Sequence, residues 1–107
     1  HLNQYQKEAI KTAVYPEADA LLYTVLGLNG EAGELAEKAK KMIRDDAGIL
    51  YEERRLAMIK ELGDVLWYVA TTAKELNVTL QEVAQTNVDK LRSRQQRGKL
   101  KGSGDDR

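Results

Sequence analysis

The stretch Leu21–Ile43, LLYTVLGLNGEAGELAEKAKKMI, sets the fold class. Its apolar residues Val25, Leu28, Ala32, Leu35, Ala39 and Met42 recur at steps of three and four, the period of one helical face. The spacing predicts one long helix with this stripe turned to a core. On a 100° wheel centred on Leu28, Glu31 falls about 60° and Glu34 about 120° away, both on the flank of the stripe, whereas Glu37 falls at about 180° and faces water.

Downstream, Asp45, Asp46 and Gly48 are turn formers, and Ile49 to Glu52 reads as the loop into a third helix. There Ile59, Leu62, Leu66, Val69, Ala73 and Leu76 form the next apolar stripe, and Asn77 ends it. Thr79 with Glu82 three residues on is a capping box opening a fourth helix that carries Leu80, Val83, Val88 and Leu91. Upstream, Asn3 followed by Gln6 reads as a capping pair for a first helix running to about Val14, which Pro16 stops. The second helix begins near Ala18 or Asp19. The chain has one proline and no phenylalanine, and is rich in residues that lose little rotamer freedom on a helix. The expectation is an all-α, single-domain chain over residues 1–107, a four-helix bundle with two long antiparallel central helices and a flexible tail from about 98. Leu22, Leu26 and Trp67 lie off the main stripes, which points to apolar surface covered by a second copy.

Composition narrows the chemistry. Seventeen basic and seventeen acidic residues cancel, so no global field draws the chain to a nucleic acid polymer or an anionic membrane, and a bound anion must be held locally. The absence of cysteine excludes disulfides, zinc–thiolate sites and thiol nucleophiles, and fits a cytoplasmic setting. No apolar run is long enough to span a membrane, and the N-terminus lacks the layout of a signal peptide. His1, the one histidine, is given no role.

Chemistry-bearing residues concentrate on the two long helices. Glu31 and Glu34 stand at i and i+3 on one, Glu61 and Asp64 at i and i+3 on the other, and Tyr68 lies one turn beyond Asp64. Two such pairs on packed helices can converge, and four converging carboxylates call for a hard, oxygen-seeking divalent cation, magnesium or manganese. Without histidine partners a zinc or di-iron centre is disfavoured. The competing reading is a solvated surface on which the acids pair with lysines such as Lys38 and Lys41. Gly30, Gly33 and Gly63 accompany the acids, and a helical glycine costs about 1 kcal/mol relative to alanine, so they imply close helix approach or space for a ligand. On the fourth helix Asn87, Lys90 and Arg94 share a face at i, i+3 and i+7, able to present an amide and two cations; Arg92 and Arg97 read as solvated charge.

With these phrases in place, GLNGEAGELAEKAKK and KELGDVLWYVA, the chain resembles the MazG-type nucleoside triphosphate pyrophosphohydrolases, of the all-α superfamily that includes the dimeric dUTPases. Their signature is E-x-x-E, a spacer, then E-x-x-D; here it reads Glu31-Ala-Gly-Glu34, 26 residues from Leu35 to Lys60, and Glu61-Leu-Gly-Asp64. The likeness runs from LNQYQKEA to NVDKLRSRQQRG. It implies that Glu31, Glu34, Glu61 and Asp64 ligate magnesium, and that a nucleoside triphosphate is hydrolysed to monophosphate and pyrophosphate by water attack at the α-phosphorus. Glu34 and Glu61 would be the catalytic acids, with Glu34 taking the water's proton. Asn87, Lys90 and Arg94 would meet the phosphates and Tyr68 the nucleoside. Relatives are homodimers or homotetramers. The tail Gly98–Arg107 is either a lid over the phosphates or a disordered end. Two other functions fit the same residues: a nucleotide binder that does not hydrolyse, and a helical dimerising regulator.

Overall fold

The computed structural model describes residues 1–98, and the expectation of a mobile or lid-like tail falls on residues 99–107, outside them. Four helices and no strand occur among the described residues: α1 (Leu2–Ile10), α2 (Ala20–Asp45), α3 (Glu52–Glu75) and α4 (Leu80–Gln96). None of these helices is long and apolar enough to cross a membrane.

The turn between the long helices forms where it was expected. Asp46 closes α2, Ala47 and Gly48 take left-handed backbone angles (φ 54° and 77°), and Met42 O accepts from both Asp46 N and Gly48 N at 3.0 and 3.1 Å. Two of the last carbonyl-side bonds of α2 are thereby made within the turn. The chain then reverses, and the helices run antiparallel. Asp46 pairs with Arg54 near the turn, Lys38 with Glu61 further along, and Gly27 meets Tyr68 near the far end.

α3 is the hub, since α1, α2 and α4 all pack on it, whereas α4 makes its contacts with α1 and α3 only. The bundle is therefore open. The radius of gyration is 16.6 Å, against about 13 Å for a closed domain of this length. Ala9, Ala70 and Leu80 form the buried core where α1, α3 and α4 meet, with Leu2, Tyr5, Trp67 and Val69 packed around it. The stripe read as the core face of α3 is covered only in part: Ile59, Leu62, Leu66 and Leu76 are exposed, whereas Ala73 is buried and Val69 packs on the core cluster. The buried residues of α3, Ala70, Thr71 and Ala73, all lie in its last two turns, so burial changes along the helix.

α1 corrects two expectations. It ends at Ile10 instead of Val14, because Thr12 N and Ala13 N bond back three residues to Ala9 O and Ile10 O, tightening the last turn. Thr12 Oγ1 also donates to Ala9 O at 2.7 Å and accepts the Trp67 indole N–H at 2.8 Å. Nor do Asn3 and Gln6 cap α1, whose N-cap His1 makes no side-chain bond. Both side chains serve α4. Gln6 Oε1 accepts from Leu80 N at 3.1 Å and Asn3 Oδ1 accepts from Gln81 N at 3.0 Å, while Gln6 Nε2 donates to Ala70 O and Val78 O, both at 3.2 Å. The expected capping box is present, with Glu82 N donating to Thr79 Oγ1 at 3.1 Å and Thr79 N donating to Glu82 Oε2 at 3.3 Å. Every amide from Thr79 to Glu82 thus has a side-chain acceptor, two of them lent by α1.

Because Gln6 is buried and joins three elements, Gln6→Leu leaves the Leu80 amide and the Val78 carbonyl without partners and removes a second bond to the helical Ala70 carbonyl. Thermal unfolding should show a loss of about 3 kcal/mol, a fall in midpoint on the order of 10 °C. Asn3→Ala should lose about 1 kcal/mol.

Candidate metal centre

The antiparallel register puts Glu31, the first acid of α2, opposite Glu61 and Asp64 of α3. One carboxylate oxygen from each of Glu31, Glu61 and Asp64 lies within 4.8 Å of the other two, with Glu31 and Glu61 half-buried and Asp64 exposed. Glu34 is exposed and stands outside this trio, although its charge still reaches Glu31. The wheel gives the reason: Glu34 is rotated about 60° further from the apolar stripe than Glu31, so it points past α3 instead of at it.

The trio is an electrostatically incomplete site. Burial, first, then the facing Glu61 carboxylate and the charges of Asp64, Glu61 and Glu34, raise the Glu31 carboxyl above its usual range. Glu61 Oε1 has Lys38 Nζ at 3.3 Å, but Glu61 Oε2 is buried with no hydrogen-bond partner. A buried carboxylate oxygen without a partner, on a group with two more carboxylates beside it, is costly unless a further cation or a proton answers it. The donor set is all oxygen, which suits magnesium or manganese.

Phenols ring the acids. Tyr68 projects from α3 onto Gly27 of α2, where a β-carbon would overlap its ring atoms Cε1 and Cζ. The ring also packs edge-on against Trp67, with centroids 4.9 Å apart. Burial, followed by the nearby Tyr23 and the charges of Glu31 and Asp64, raises the Tyr68 hydroxyl. Tyr5 is raised by burial and by Asp64, which places an α1 phenol close to the same acid. Nothing in the sequence singled out Tyr5, since its role arises from the packing of α1 on α3. Of the two reasons read for the glycines beside the acids, close helix approach does not hold: Gly30, Gly33 and Gly63 have open space where a side chain would go, and the close approach occurs at Gly27. Trp67, read from its place off the main stripe as surface for a second copy, packs on the core cluster of its own chain. Beyond it, Tyr15 donates to Glu75 Oε2 at 2.7 Å, with the phenol pushed up to about 12 by burial and by Glu75.

The face read on α4 is divided. Asn87 and Lys90 line a groove with Val78, Glu82, Val83 and Thr86, which includes none of the four acids, and Arg94 is buried, 4% exposed.

The model of the MazG nucleotide pyrophosphohydrolase domain matches residues 20–98. The chain belongs to the MazG family. A relative from Mycobacterium phage L5, the "Gene 37 protein", is 48% identical over 113 residues, spanning 100% of this chain and 99% of its own. No solved structure matches. The matched segment of this MazG protein begins at the first residue of α2 and takes in both acidic pairs, whereas α1, which precedes it, supplies the caps of α4 and Tyr5.

The raised Glu31 carboxyl sets a pH dependence. A carboxyl raised in the fold costs nothing below its ordinary value of 4.5, and the cost grows as the pH climbs through the raised value. A divalent cation held by the trio removes this cost and competes with the proton. The magnesium-induced rise in thermal midpoint should therefore be larger at about pH 8 than at about pH 5, as scanning fluorimetry with magnesium and with EDTA will show.

Proposed function

We propose that this chain hydrolyses nucleoside or deoxynucleoside triphosphates to the monophosphate and pyrophosphate, with magnesium as cofactor and manganese as a substitute, in cytoplasmic housecleaning of the nucleotide pool. The observation that carries the reading is the convergence of the Glu31, Glu61 and Asp64 carboxylates, with one Glu61 oxygen buried and without a hydrogen-bond partner, in a MazG-family chain.

In this reading Glu31, Glu61 and Asp64 hold the cation, and Glu34, on the exposed edge of the same face of α2, completes the set when substrate arrives. A metal held there would supply an acidified water and neutralise charge on the phosphate oxygens. Glu34, exposed and free of the trio's crowding, receives the water's proton, and Glu61 fixes the geometry between the helices. Tyr68 offers its ring to the nucleoside beside the acids. Asn87, Lys90 and Arg94 answer the phosphates, which requires α4 to approach the acids more closely than it does within one protomer.

Homo-oligomerisation, as a dimer or tetramer, is part of the same proposal. It is supported by the apolar surface left uncovered on the long helices, where Leu22, Leu26 and Leu62 are 61%, 71% and 53% exposed. A Leu62→Glu variant should sediment as a smaller species than the parent; an unchanged sedimentation coefficient would count against assembly through this face.

The decisive assay is product analysis over a panel of ribo- and deoxyribonucleoside triphosphates with magnesium. Pyrophosphate and monophosphate should appear in equal amounts, Glu61→Ala should lower kcat at least about 100-fold, and Glu34→Ala should also be impaired. Full activity of Glu34→Ala would remove it as the proton acceptor. Nucleotide binding without turnover would favour a non-catalytic binder, and the absence of both a helical regulator.

A further inference from the structure

Glu61 already has one cation. Lys38 Nζ lies 3.3 Å from Glu61 Oε1, and the two side chains are only 25% and 16% exposed. Lys38 is seven residues beyond Glu31, hence on the same face of α2 and about 10 Å further along the axis. Helical side chains lean toward their own N-terminus, so the Lys38 stem runs back toward the acids. Glu34 stands four residues earlier, where a lysine's helical partner is normally found, yet the ammonium crosses to α3.

The ion pair is sheltered but partial. It neutralises one oxygen of Glu61 and leaves Oε2 buried without a partner, and the Glu31 carboxyl stays raised beside it. A divalent ion takes carboxylate oxygens at about 2.0–2.1 Å, so an ammonium already bonded to one of those oxygens opposes its entry. Lysine suits a movable role, being a compact charge on a flexible four-carbon stem, unlike the rigid fork of arginine.

We propose that Lys38 is a built-in, displaceable counter-ion of the metal centre. It holds Glu61 in the metal-free protein, yields that carboxylate to the entering divalent cation, and then turns its charge to the phosphate oxygens of the substrate. The inference rests on the metal-centre reading above and extends it to a residue outside the acidic signature. Its consequence is a pair of effects of opposite sign: Lys38 weakens the binding of bare magnesium and strengthens the binding of a magnesium-bound polyphosphate.

The test is calorimetric titration of the full chain, and of Lys38→Met, with magnesium alone and then with inorganic tripolyphosphate in saturating magnesium, together with thermal midpoints in EDTA. Lys38→Met should unfold at lower temperature in EDTA, bind magnesium alone about tenfold more tightly and bind magnesium tripolyphosphate about tenfold more weakly. Lys38→Arg should keep the polyphosphate affinity. Should Lys38→Met not fold, Lys38→Gln removes the same charge. Magnesium binding by the parent with no tightening in the neutral variant overturns the counter-ion role while leaving the metal centre intact. Tightening toward both probes overturns the transfer to phosphate. A parent chain that binds neither probe overturns the metal-centre reading itself.

Discussion

The register between α2 and α3 is the constraint on which the rest depends. The two long helices are antiparallel because a six-residue turn joins them, but antiparallel helices can still slide and rotate against each other. Here the Asp46–Arg54 pair fixes the end near the turn, Lys38–Glu61 ties the middle, and the absence of a side chain at Gly27 admits the Tyr68 ring further along. A shift by one turn, about 5.4 Å, would separate Glu31 from Glu61 and Asp64 by more than a carboxylate can span. The acidic cluster is a consequence of helix packing, and repulsion among its members is a cost that the packing carries.

That cost is met by the surroundings. Three carboxylates at a partly buried helix interface would drive the helices apart if all stayed charged and unanswered. Lys38 answers one oxygen of Glu61, and Trp67 and Ala70 belong to the core cluster formed with α1 and α4. The strain in electrostatics is thus located where a cation would relieve it, and the apolar packing that supports it lies on another part of α3.

The short helices belong to the same mechanical unit. α4 begins with four amides in need of acceptors, and its own residues Thr79 and Glu82 supply two while Asn3 and Gln6 of α1 supply the others. α1 is thereby locked to α4 by directed bonds beside a small buried core of Ala9, Ala70 and Leu80. Tyr5 rides on α1 into the neighbourhood of Asp64.

What the sequence by itself determined was everything with a local cause. The helix count, the turn at Asp46–Gly48, the stop at Asn77 and the Thr79–Glu82 capping box follow from interactions between residues three or four apart, and the two acidic pairs follow from the same period. The 100° wheel even held the distinction between Glu31 and Glu34. What only the tertiary structure decided was every choice between faces. Ile59, Leu62 and Leu66 repeat with a perfect core period and are nevertheless exposed, because periodicity marks a face as apolar without saying which neighbour covers it. Asn3 and Gln6 have the spacing of a local cap but bond to a helix more than seventy residues away, and Lys38 bypasses its neighbour Glu34 for Glu61. In each polar case a side chain with the spacing for a partner along its own helix bonds instead across the fold, and only packing decides which partner is present at the required distance.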